Sequence, residues 1–328
     1  MEFLAHTQPL AFAVAMLAAA VMGFSIQQGG TCMVGAIGQL VVERRAGKAI
    51  ALIECSLWVL ALGIAVMATG YGFQASPNYP VGFSVVLGGA LLGLGAWANE
   101  ACVFGSIARI GSRNLNYLLT PPGYFLGSLL HARLELRWAQ SAPMTPVSGS
   151  ASKFMLLLFT ASILLSIRQI AAVRRAGTSL QQVWDYRHAT IAIGIAFVVL
   201  TVLAGPWTYT EALGRYAHGR GMPDLGGLLL LAALLGGAML GGRGAGAPVQ
   251  INLRRAATCL VGGALMGFGA ALVPGGNDNL ILAGLPWLQP HAWLAIGAMA
   301  LTIATALLGT RLWRKQQPVG FGSRASRI

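Results

Sequence analysis

GGALLGLGA at residues 88–96 returns as GGALMGFGA at residues 262–270, with seven of nine positions identical at an offset of 174 residues. Both stretches are apolar and crowded with small residues, the composition of helices that approach one another closely. The residues beyond each copy are more informative. Seven residues after Gly95 stands Cys102, inside the polar break Asn99-Glu100-Ala101-Cys102. Seven residues after Gly269 stands Gly276, inside Pro274-Gly275-Gly276-Asn277-Asp278-Asn279. A weaker third copy, AAAVMGFSI at residues 18–26, places Cys32 seven residues after Ser25, inside Gln27-Gln28-Gly29-Gly30-Thr31-Cys32. The chain interrupts a greasy small-residue helix three times and twice sets a thiol at the interruption.

Composition fixes the solvent. Only 9% of the 328 residues are charged and 56% are hydrophobic, and no Asp, Glu, Lys or Arg falls within 3–42, 55–99, 225–242 or 279–310. A bilayer core of roughly 30 Å needs about 20 apolar residues per helix, so these stretches read as membrane spans. The net charge of +13 does not indicate nucleic acid. The basic residues stand in short clusters between spans, around Arg44, Arg109, Arg174, Arg254 and Arg314, which is the positive-inside pattern. The first apolar stretch follows no basic region and precedes no obvious cleavage site, so it reads as a retained span.

Nine spans are expected, at 10–28, 49–71, 81–97, 115–130, 154–173, 188–205, 225–241, 256–273 and 291–310. The fourth is short and carries Pro121-Pro122-Gly123. A periplasmic N-terminus and cytoplasmic C-terminus put the five basic clusters inside, although the connector 131–153 then lies outside with Arg133, Arg137 and Lys153. Residues 1–140 form one repeat half, 141–153 a linker, 154–315 the second half and 316–328 a basic cytoplasmic tail. On this count the copies at 88 and 262 run in opposite directions, an inverted repeat of the kind that places a transporter's site between its halves. The apolar stretches 10–42 and 81–110 exceed one crossing; 33 residues would make roughly 50 Å of helix. Each reads as a helix, a break and a short second helix beginning near Cys32 or Cys102. Such breaks survive at membrane depth only where buried in protein or lining a wet cavity.

The breaks hold the candidate substrate-path residues: Gly30, Thr31, Cys32, Asn99, Glu100, Cys102, Gly276, Asn277 and Asp278. The first amides of a helix lack internal partners and carry partial positive charge, which attracts an anion. A thiol there can offer a weak S–H donor or a soft contact, or it can simply pack as a small hydrophobe. Glu100 and Asp278 read either as acids on a pathway or as local turn and cap partners. Glu54 reads as an interfacial side chain, and Cys259 as packing. No metal-ligand spacing, cysteine pair of a redox or zinc motif, nucleotide loop or hydrolase signature is present, so neither metal nor cofactor is expected.

These segments, from Gly23-Phe24-Ser25 to Cys32, from Gly88 to Cys102 and from Gly262 to Asn277, resemble the YeeE/YedE family of inner-membrane sulfur transporters. The resemblance implies an hourglass-shaped helical protein that takes up thiosulfate through cysteines contacting it in succession. It matches Cys32 and Cys102 to two of those cysteines; the third should stand at Gly276, which offers no thiol. The expected protein is thus an all-α, multi-pass permease of the bacterial inner membrane for a small sulfur-containing anion, thiosulfate first. It is surrounded by lipid, binds no nucleic acid and, by the same resemblance, can hand its substrate to a cytoplasmic sulfurtransferase. The alternative is a membrane-embedded sulfurtransferase that forms a persulfide on Cys32 or Cys102, which needs an activated thiolate.

Overall fold

Both over-long apolar segments are pairs of helices. Helix α1 (Pro9–Gly29) stops one turn before α2 (Met33–Val42), and Gly30 turns the chain at φ +55°, a conformation that costs glycine little. Helix α3 (Gly47–Ala68) comes next. Helices α4 (Phe83–Ala98) and α5 (Val103–Gly111) repeat the device, here with Glu100 at φ 54°. A 3₁₀ turn, Leu115–Leu119, leads into α6 (Thr120–Arg133). Pro121 and Pro122 occupy its first turn, where a missing N–H is harmless, so they start this helix instead of interrupting it. The computed structural model describes residues 9–70, 73, 77–134, 157, 159–160, 162–164, 167–168, 171, 185–220, 224–245 and 251–316.

The later elements are α7 (Tyr186–Ala204), α8 (Tyr209–Ala217), α9 (Leu225–Gly241), α10 (Leu253–Leu272), the short α11 (Asn277–Asn279) with a π-helical turn Leu280–Gly284, and α12 (Pro290–Gln316). A fourth break thus lies between α7 and α8, at Gly205-Pro206-Trp207-Thr208, and no repeat or thiol announced it. Among the described residues, six helical segments are long and apolar enough to cross a bilayer: Pro9–Val42, Gly47–Ala68, Phe83–Gly111, Tyr186–Ala204, Leu253–Leu272 and Pro290–Leu312. The described residues thus account for six of the nine expected spans. Leu225–Gly241 is apolar but shorter, α6 has 14 residues, and most of 154–173 lies outside the described residues.

Glycine brings the backbones together. A Cβ on Gly88 would stand 2.6 Å from Gly269 O, and one on Gly95 2.6 Å from Gly262 O. The two copies of the repeated motif therefore lie against each other and run antiparallel. Their remaining glycines serve the flanking helices in matching fashion. Gly89 and Gly93 face the carbonyls of Ala295 and Met299 on α12, while Gly263 and Gly267 face those of Thr120 and Tyr124 on α6. Helix α1 packs on α7 and α9, where Gly23 meets Leu234 O and Gly237 meets Ala20 O. Lipid offers little hydrophobic drive for helix association, so close backbone packing supplies it. Large apolar side chains such as Leu10, Phe83, Leu253 and Leu301 are left exposed on the outside, as a lipid-facing surface requires.

Side-chain caps fix where the second set of helices begins. Asp185 accepts from the N–H of Arg187 and of His188, Asp224 from Gly227 N–H and Asn252 from Arg255 N–H; each such cap contributes about 1 kcal/mol. Glu54 is not interfacial. It is 8% exposed and accepts two bonds from Arg187, Nε to Oε2 at 2.6 Å and Nη2 to Oε1 at 2.5 Å, with a further bond from Ser162 Oγ. This paired charge ties α3 to α7, and loss of one partner would strand the other in a dry interior.

Candidate functional site

Four of the breaks end in a helix head. Cys32, Cys102, Thr208 and Gly276 each occupy the residue before a helix, in extended conformation. Thr208 caps its own helix by accepting from Glu211 N–H. Neither thiol makes a side-chain cap bond; each instead receives an amide from across the gap. Met33 N–H donates to Cys102 Sγ at 3.1 Å, and Cys102 N–H donates to Cys32 Sγ at 3.5 Å. The two thiols thus stand side by side across the gap. Gly105 makes room, because a Cβ there would sit 2.6 Å from Cys32 Sγ. First-turn amides at two converging helix starts lend partial positive charge to this part of the seam.

The seam continues. Val103 N–H donates to Asn277 Oδ1 at 3.5 Å. Asn277 is fully buried, and its Nδ2 has no protein partner; a buried donor in that state costs about 1–3 kcal/mol unless something accepts from it. Tyr209 O–H donates to Val103 O at 3.0 Å, and Thr210 Oγ1 donates to Asp278 Oδ1. Open clefts lie at two ends of this row. One, narrow and of about 10 Å³, is lined by Thr31, Cys32, Lys48, Tyr186 and Thr190 among others; the second, also of about 10 Å³, by Tyr124, Ser128, Thr210, Glu211, Arg215 and Gly275 among others. Cys32, Cys102, Asn277 and Thr210 connect one cleft to the other.

The expected site residues divide accordingly. Cys32, Cys102, Gly276, Asn277 and Asp278 come together, with Gly30 and Thr31 beside Cys32. Asn99 is buried but occupied: it donates to Ala101 O at 2.9 Å and to Ser106 Oγ at 3.0 Å, and accepts from Thr120 Oγ1 at 3.4 Å. It braces the α4–α5 break. Glu100 is at the surface, its side chain 69% exposed and 3.2 Å from Arg255, so of the two acids only Asp278, 1% exposed, stands within the seam. Thr208, Tyr209, Thr210 and Lys48 were missed by sequence reasoning. Thr208 lies 176 residues after Cys32, close to the repeat offset, and that spacing was the available signal.

The family model described as Sulphur transport matches residues 28–305, which includes all four helix heads. The chain belongs to the sulphur transport family. No curated protein matches it. With its six crossing-length apolar segments, this member of the sulphur transport family is a multi-pass membrane protein. Gly276 has no room for a side chain. A Cβ on Gly276 would stand 2.5 Å from Thr210 Oγ1 and 2.6 Å from Asp278 Oδ1, so the Thr210–Asp278 pair fills the space any side chain there would need. Gly276→Ala is expected to separate that pair and cost about 1–3 kcal/mol, the range for overpacking. The check is the thermal unfolding midpoint in detergent; an unchanged midpoint would mean the pair yields freely.

Proposed function

We propose that the chain is an inner-membrane permease for a small sulfur-containing anion, thiosulfate first, which crosses along Cys32, Cys102 and Asn277. The observation that carries this reading is the crossed pair of thiols, each at the head of a short helix and each facing amides of the other. A dianion of sulfur and oxygen fits such a lining. Its terminal sulfur meets soft thiols with weak S–H donors, while helix-start amides and the unpartnered Asn277 Nδ2 offset its charge. Weak, sequential contacts suit passage, which demands that each station also release its ligand. Driving force would come from gradients or from consumption of substrate inside, for instance by a cytoplasmic sulfurtransferase.

The halves 1–140 and 154–315, joined by 141–153 and followed by the tail 316–328, are proposed as inverted repeats. Support comes from the element order: a broken helix, a helix, a second broken helix and a helix occur in each half. The antiparallel contact of Gly88 with Gly269 and Gly95 with Gly262 fits a two-fold relation, as do the matching partners of Gly89, Gly93, Gly263 and Gly267. The basic clusters support a periplasmic N-terminus and a cytoplasmic C-terminus. A bacterium deprived of its own sulfate and thiosulfate uptake should grow on thiosulfate as sole sulfur source when it carries this chain. Absence of growth at verified membrane levels would remove thiosulfate as the substrate.

One observation favours the enzyme alternative. The backbone N–H of Cys102 donates to the Cys32 sulfur at 3.5 Å, a contact that also suits a thiolate. Such a thiolate would attack the terminal sulfur of thiosulfate, the S–S bond would break, sulfite would leave, and a Cys32 persulfide would remain. Persulfide accumulation on purified protein given thiosulfate separates the two readings.

A further inference from the structure

The cleft beside Cys32 has a cation that the fold does not otherwise use. Lys48, on the first turn of α3, is half-buried and forms no ion pair among the described residues. Its backbone N–H is bonded to Gln39 Oε1 at 3.0 Å, which anchors the residue and leaves the ammonium to the cleft. Nζ lies 4.0 Å from where a Cβ on Gly35 would be, in the first turn of α2, and the same glycine faces Cys32 Cβ at 3.7 Å. Thr31 supplies a second, independent feature: it is 5% exposed, it lines this cleft, and its Oγ1 has no protein partner. The nearby acid Glu54 is already neutralised by Arg187, so the Lys48 charge is not cancelled from that direction.

We propose that this cleft is an oxyanion-binding station, in which Lys48 Nζ and Thr31 Oγ1 hold the oxygen end of a sulfur oxyanion and orient its sulfur end toward Cys32. The chemistry selects a tetrahedral anion over a neutral sulfur compound: an ammonium and a hydroxyl both favour charged oxygen acceptors. For its physiological ligand the proposal rests on the permeation reading; the site itself does not depend on transport.

Alkylation of Cys32 by a maleimide, mapped by peptide mass spectrometry on detergent-purified protein, tests it with sodium sulfate and sodium thiosulfate as probes. Both salts are expected to protect Cys32, with sodium chloride at equal ionic strength as the reference. Lys48→Gln should raise the half-protecting concentration at least about tenfold, the loss of one charge-assisted contact, while Lys48→Arg should stay near wild type. Thr31→Val should raise it by a smaller factor. Protection that is absent in wild type, or equal in wild type and Lys48→Gln, overturns the station. Lys48-dependent protection in a protein that moves no thiosulfate would uphold the station and sink the permease reading instead.

Discussion

Gly95→Leu is expected to prevent assembly of the folded protein. A Cβ at this position would stand 2.6 Å from Gly262 O and 2.8 Å from Met266 N, and both are backbone atoms of α10 that cannot swing aside. The remainder of a leucine side chain would then have to separate α4 from α10, the pair formed by the two repeat copies. The cost should exceed about 4 kcal/mol, the exceptional end of single-residue effects. Gly95→Ala adds one carbon and should cost about 1–3 kcal/mol. Gly297, on α12, provides the control, because nothing lies within 4 Å of its added Cβ. Gly297→Ala should be neutral or up to about 1 kcal/mol stabilising through helix propensity. Size-exclusion profiles after heating in detergent read all three. A wild-type profile for Gly95→Leu would contradict the backbone contact between the repeats.

Cys102→Ala should lower thiosulfate uptake at least about tenfold, equivalent to about 1.4 kcal/mol on the barrier. Cys102 is fully buried, and its sulfur accepts Met33 N–H at the head of α2. Its loss would remove a soft contact and leave that amide without its acceptor. Cys102→Ser keeps an acceptor and should retain more flux than alanine. Cys259 is equally buried yet sits within α10, outside the row of Cys32, Cys102 and Asn277, so Cys259→Ala should leave uptake near wild type at matched membrane levels. Equal uptake by all three variants would place the permeating ion elsewhere.

Much of this architecture was legible in the residues. The repeated motif, the charge-free stretches and the breaks before Cys32, Cys102 and Asn277 each correspond to a structural feature, because small residues and missing charges leave membrane helices few alternatives. What escaped depended on partners distant in sequence. Glu54 looked interfacial because its partner Arg187 is 133 residues away. Glu100 looked costly at membrane depth because depth is not written in a sequence, and Arg255 meets it at the surface. Pro121-Pro122 looked like an interruption, although the same pair is well suited to a first helical turn. The break at Gly205-Pro206-Trp207-Thr208 has neither thiol nor repeated motif, so the spacing of Thr208 from Cys32 was its one trace in the sequence. That Gly276 has no room for a side chain could not be read before Thr210 and Asp278 were seen beside it.

The most direct test of the central claim is the flux of radiolabelled thiosulfate into liposomes that contain only this purified chain. Wild-type protein should exceed empty liposomes, the flux should fall in Cys32→Ala and Cys102→Ala, and sulfate should compete weakly for want of a terminal soft sulfur. Wild-type flux equal to that of empty liposomes, with the protein verified as folded in the membrane, would contradict passage along the thiol seam.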